Sequence, residues 1–284
     1  MVIDPKNLAE LIDKLPAFPA SVSKILQLTA DEDLDTSDLV DVVELDMVMT
    51  ARVLKLVNSA MFGLSGEMTS VKHAVVYVGS DTIKNLAISI ATAGSLPKTN
   101  KAGLDMDAFW LQSLSVGVIA KLLAERENLT VFESADYFVA GLLHNIGKIV
   151  LAYFYPQEYA QVLKIADEQN KADYLVEKEL FGIDHSELGA MLAQEWQLPQ
   201  GLVLAIKNHH ALAEMTVDIP PTRELTKTIF CASQIFHRIN ANEREQDIIP
   251  EFVESWLGNS MEEIIESLTN LEQEIEKAMV FISD

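Results

Sequence analysis

Apolar residues recur at three- and four-residue spacing along nearly the whole chain, and the polar residues between them carry helix start and stop signals. Asp4 before Pro5 opens a first helix with Leu8, Leu11, Ile12 and Leu15 on one face, and Pro16 stops it. Val22, Ile25, Leu26 and Thr29 mark the next face, followed by a loop over 31–35. Thr36 then caps a helix carrying Leu39, Val40, Val42 and Val43, and Asp46 caps one carrying Met49, Val53, Leu54 and Val57. After a loop over 63–69, Val71, Ala74, Val75 and Val78 define a short helix closed by Gly79. Ser80 or Asp81 caps its successor, which carries Ile83, Leu86, Ala87 and Ile90. No alternation with a period of two persists, so the pattern predicts an all-α chain.

The run Pro97 to Leu104 is rich in loop formers and divides the chain into a helical half over 1–97, a linker over 98–104 and a second helical half over 105–284. The linker is short, so the two halves are expected to pack together as helical subdomains. Asp105 or Asp107 opens a helix with Phe109, Trp110, Leu114, Val118 and Leu122 on one side. Thr130 and Glu133 form a capping box for the helix that arrives through Phe138 and Val139, ends at His144 and Asn145, turns at Gly147 and restarts through Ile149, Val150 and Leu151. Pro156 ends that continuation, and Tyr159, Val162, Leu163 and Ala166 follow. Asp184 with Glu187 is a second capping box, putting His185 in the first turn of a helix through Leu188, Met191, Leu192 and Trp196. Pro199 starts another, which ends at His209 and His210. Pro220 and Pro221 bound a loop before Leu225, Ile229, Ala232, Ile235 and Phe236. Near the C-terminus, Met261, Leu268 and Ile275 are seven apart, with Ile264, Leu271 and Ala278 between them. Such a stripe packs on its own domain or serves as a dimer contact.

Charge narrows the range of partners. Asp plus Glu number 43 against 21 Lys plus Arg, a formal charge of −22, and a surface that acidic repels phosphate backbones and anionic lipid. Neither nucleic acid nor membrane is an expected partner. Cys231 is the single cysteine, which excludes an internal disulfide and a thiolate metal cluster, and its apolar flanks mark it as a core residue. No basic and apolar leader precedes residue 10 and no run approaches about 18 apolar residues, so the cytoplasm is the expected compartment. Glycine-rich phosphate loops and serine elbows are absent from the sequence.

Candidate chemistry gathers at Gly141 Leu142 Leu143 His144 Asn145 Ile146 Gly147 Lys148. On its own, a histidine and an asparagine at a helix end serve as hydrogen-bonding end groups. The segment also resembles the GLLHDIGK signature of the HD superfamily of metal-dependent phosphohydrolases, with Asn145 where that family has aspartate. In the first half, Leu15 Pro16 Ala17 Phe18 Pro19, Glu44 Leu45 Asp46, Thr50 Ala51 Arg52 Val53 Leu54, Val57 Asn58 Ser59 Ala60 and Val78 Gly79 with Asn85 Leu86 Ala87 resemble the HDOD domain of bacterial signalling proteins. Met47 stands where that family usually has proline. Asp46 and Asn58 are expected to be caps and helix-to-loop bonds rather than ligands.

The resemblance implies a multi-helical bundle and a site in which His144, His185, His209 and His210 converge as candidate metal ligands. It also implies losses: Gln112 stands at a histidine position, Asn145 at the key aspartate and Ser233 at the last aspartate. Lys148 matches the lysine that approaches substrate phosphate in the superfamily, or is a cation near a helix terminus. His73 and His237 fall outside the constellation. An amide or hydroxyl cannot offset a metal's charge as a carboxylate does, so a bridged metal pair is not expected. No cofactor is expected, although neutral imidazoles still suit a single divalent metal. The resulting expectation is a non-catalytic regulatory protein, derived from a phosphohydrolase, that binds a signalling protein or small ligand. One alternative is an active metal-dependent phosphohydrolase on a nucleotide or cyclic dinucleotide, with Glu187 or another carboxylate supplied in three dimensions. The other is a purely architectural helical scaffold.

Overall fold

The structure, a computed structural model, describes residues 14, 20–28, 36–58, 62, 67–127, 129, 134–210, 220–240, 258–268 and 271–278. Among these residues every regular element is helical, as the apolar spacing predicts. The first helix predicted from Asp4 and Pro5, the Thr130–Glu133 capping box and parts of the HDOD-like blocks, including residues 15–19 and 59–60, lie outside the described residues.

Among the described residues up to Ser95 there are five helices: α1 (Ala20–Leu28), α2 (Thr36–Leu45), α3 (Met47–Val57), α4 (Val71–Val78) and α5 (Ser80–Ser95). Asp46 caps α3 by accepting from the backbone N–H of Val48 and Met49, and its second oxygen accepts from the Ser21 hydroxyl at 2.8 Å. Asn58 ties the end of α3 to the following loop, its amide donating to Met68 O and its oxygen accepting from Met68 N. Gly79 ends α4 at φ +87°, a conformation that favours glycine. The start of α5 departs from expectation: neither Ser80 nor Asp81 caps it, because the cap position is Gly79 itself and no side chain bonds there. Helix α5 buries Ile83, Leu86, Ala87, Ile88 and Ile90 and touches α1, α2, α3 and α4.

The segment that follows α5 is held to itself by Asn100, whose oxygen accepts from the N–H of Ala102 and Leu104 and whose amide donates to Leu104 O. Beyond it come α6 (Met106–Arg126), capped by Asp105, then α7 (Ala135–Leu143), α8 (Ile146–Phe154), α9 (Pro156–Glu168), α10 (Asp173–Phe181), α11 (His185–Glu195), α12 (Gln200–Asn208) and α13 (Pro220–Ile239). Helix α5 also packs on α7, where the Asn85 amide donates to the Asp136 carboxylate. Burial raises the Asp136 pKa at this junction.

Two short helices, α14 (Met261–Ser267) and α15 (Leu271–Ala278), carry the predicted heptad stripe. They are separate because Leu268 leaves the helical conformation at ψ 58°. Met261 and Ile264 are buried, and Leu268, Leu271 and Ile275 pack against the same core. Two segments, Met106–Arg126 and Ala135–Phe154, have the length and hydropathy of a membrane crossing, although no long apolar run stands out in the sequence. Within the fold 61% and 78% of their apolar windows are buried, as the inner helices of a large core require.

Candidate metal centre

Close helix crossings bring the histidines together. A Cβ added at Gly141 on α7 would lie 2.6 Å from Gly117 Cα on α6, so these helices meet backbone to backbone. The predicted turn at Gly147 is instead a two-residue break at His144 and Asn145, and Gly147 lies inside α8. Its lack of a side chain serves packing, since a Cβ there would fall 2.0 Å from His185 O on α11. This contact brings the start of α11 against the α7–α8 break.

His144 ends α7, His185 opens α11 behind the predicted Asp184–Glu187 capping box, and His209 ends α12 with His210 following it. The nitrogens of His185, His209 and His210 available to a ligand lie within 4.8 Å of one another. The His144 ring packs edge-on against His209, with centroids 5.0 Å apart. The four expected histidines therefore meet.

Their tautomers follow from their partners. His144 Nδ1 is 2.6 Å from Gly141 O and His209 Nδ1 is 2.7 Å from Ile206 O. A carbonyl only accepts, so each Nδ1 carries the hydrogen and each Nε2 presents a lone pair in the neutral ring. Burial lowers the His144 pKa to about 3 and those of His209 and His210 well below the usual imidazole range. The Nε2 atoms of His144 and His209 are fully buried and meet no hydrogen-bond partner. His185 Nε2 lies 3.0 Å from His210 Nε2.

Asn145, at the break itself, makes no side-chain cap bond, and its carbonyl accepts from Lys148 N. Gln112 is half-buried on α6 and Ser233 is buried on α13, two helices that pack on each other and on α7. His237, expected outside the constellation, is near enough for its charge to lower the His144 pKa. Lys148 lies in the first turn of α8, where the helix dipole disfavours a cation, and Asp173 compensates with a salt bridge of 2.8 Å. Glu187 is committed to its capping box and to Lys178, so it is not the extra ligand.

Helix α10 supplies what the sequence analysis missed. Asp173, Tyr174 and Glu177 lie on one of its faces. Asp173 pairs with Lys148, Tyr174 stacks on His210 at 4.2 Å, and Glu177 Oε2 accepts from both His185 Nδ1 at 2.6 Å and His185 N at 2.7 Å. Glu177 is completely buried, and its charge together with burial pushes the Tyr159 phenol pKa well above its ordinary value. The signal was available in part: Val176 and Phe181 at helical spacing, Gly182 as a left-handed stop and a lone glutamate among them.

The ring nitrogens of His185, His209 and His210 are close enough to share one divalent ion of the zinc class, with the unpartnered Nε2 of His144 beside the group. Among the described residues that group contains no carboxylate, so it offers nothing to bridge a second ion.

Among the described residues the chain is an all-helical bundle in which histidines meet at helix ends. The HDOD domain family matches residues 15–212, and the chain belongs to that family. A "Putative phosphohydrolase" from Shewanella amazonensis SB2B is similar to it with a TM-score of 0.74 and 28% identity, over 96% of this chain and 97% of that one. An HDOD domain protein of unknown function from Geobacter sulfurreducens is similar with a TM-score of 0.74 and 27% identity, over 98% of both chains. An uncharacterized protein of Treponema pallidum (strain Nichols) is 30% identical over 215 residues, which are 76% of this chain and 41% of that protein. The chain thus spans less than half the length of that curated relative.

Proposed function

We propose that this HDOD protein is a cytoplasmic regulatory module that binds a signalling protein or small ligand and breaks no bond. The observation that supports this reading is that the histidine group has no carboxylate member among the described residues, Asp173 being paired with Lys148 and one oxygen of Glu177 with His185. Hydrolysis of a phosphoester by a metal pair needs anionic groups to bridge the ions and offset their charge. Here burial holds the rings of His144, His209 and His210 neutral, so they offer lone pairs and no negative charge. A single ion held by them would supply a fixed positive charge. A substrate phosphate seeking Lys148 would first have to displace Asp173.

A purely architectural helix stack would be better served by apolar side chains in this space, since buried nitrogens without partners cost free energy. The test is a turnover assay of the full chain, loaded in turn with zinc, manganese or magnesium, on nucleotides and cyclic dinucleotides. The expected result is no product beyond that of His144→Ala. Turnover that His144→Ala abolishes would return the protein to the hydrolases.

A further inference from the structure

Glu177 is the most completely enclosed carboxylate beside the cluster, at 0% exposure. A charge that deep is costly unless something positive or strongly donating offsets it. The adjacent Lys178 is turned away, with its ammonium on Asp184 and Glu187. Glu177 instead takes both donors of His185, the backbone N–H and Nδ1. The short connection through left-handed Gly182 to the Asp184 cap folds the start of α11 back onto α10 and makes this double contact.

The opposite side of the His185 ring faces the cluster. Its Nε2 is 3.0 Å from His210 Nε2, and two imidazole nitrogens so close require a proton or a cation to satisfy their lone pairs. With Nδ1–H held by the carboxylate, Nε2 of His185 carries the lone pair and turns it toward the cluster, where it can bind a cation. His144 and His209 are held by backbone carbonyls instead, so His185 has the anionic support the other two lack.

We infer that Glu177 is the positioning residue of a mononuclear cation site formed by His185, His209 and His210 with His144 beside them, and that it sets the site's affinity for a late first-row divalent ion. This rests on reading the cluster as a cation site. Asp173, on the same helix face, serves Lys148 and does not share that role.

Cobalt(II) titration of the chelator-stripped full chain, followed through its visible absorption, tests the inference. The wild type is expected to bind one cobalt. Glu177→Gln, with an unchanged helical circular dichroism spectrum, is expected to bind it 10–100-fold more weakly and with a shifted band at saturation. Asp173→Asn is expected to match the wild type within about threefold, which separates positioning from a general loss of negative charge. Should Glu177→Gln not fold, Glu177→Asp, which withdraws the carboxylate from His185, is read in the same way. Equal affinity and an unshifted band in the Glu177 variant would overturn the inference and leave the cation site standing. A wild type that binds no cobalt would overturn both.

Discussion

Asp46 and His144 are both polar side chains at a junction between helices with apolar neighbours, yet their hydrogen bonding differs. Asp46 is saturated by two backbone N–H groups and the Ser21 hydroxyl. His144 satisfies Nδ1 on Gly141 and leaves a buried Nε2 without a partner, and His209 repeats the pattern. Polar groups that complete their own hydrogen bonding are explained by folding. Polar groups that stop halfway, in a place water does not reach, are arranged for something the chain does not itself supply. Asp46 fastens one helix start to another helix, whereas His144 and His209 each keep a buried ring nitrogen open.

Acid breaks this comparison most strongly. His144, His209 and His210 are held neutral by burial, with pKa values below the 6.5 of an exposed imidazole. Below that pH the unfolded chain takes up protons that the folded chain refuses. Stability should therefore be highest above pH 6.5 and fall as the pH drops below it, the His144 contribution being lost progressively down to about pH 3. The Asp46 pKa is lowered, chiefly by its bond from the Met49 N–H, so its contribution is lost only below the ordinary carboxylate range. Urea denaturation of metal-free protein at pH 7.5 and 5.5 checks this, and equal midpoints would contradict it.

Gly147→Ala is next in size. The methyl group would meet the His185 carbonyl and force α8 away from α11, at a cost of about 3 kcal/mol. Gly79→Ala meets no neighbour, so its smaller cost, about 2 kcal/mol, comes from backbone conformation alone. Thermal melts of the two variants compare a crossing with a turn. Asp46→Ala should cost about 1 kcal/mol through the lost cap and leave cobalt affinity unchanged. The smallest effect on the fold is expected from His209→Leu, within about 1 kcal/mol in metal-free protein, because an apolar side chain suits a site whose Nε2 has no partner. Any rise in melting temperature on adding zinc should vanish in that variant, and a retained rise would mean that His209 is no ligand.

Much of this was legible in the sequence because it depends on local periodicity and capping. The apolar spacing predicted the helices, Asp184 with Glu187 located the start of α11, and the resemblance to the HD superfamily grouped the four histidines, which lie at helix ends. What could not be read depends on tertiary contact. The break at His144–Asn145, rather than at Gly147, reflects a steric demand from a helix some 40 residues later in the chain. Glu177 resembles any charged residue on a short helix until α10 folds across the cluster and buries it against His185. Lys148 likewise suggests a phosphate contact until Asp173 is beside it.

The most direct test of the central claim, a mononuclear imidazole site without bridging carboxylates, is a count of ions per chain by native mass spectrometry after saturation with zinc and removal of the excess. The account predicts one ion in the wild type and none in a His144→Ala, His209→Leu double variant. Two ions per wild-type chain, or none, would contradict it.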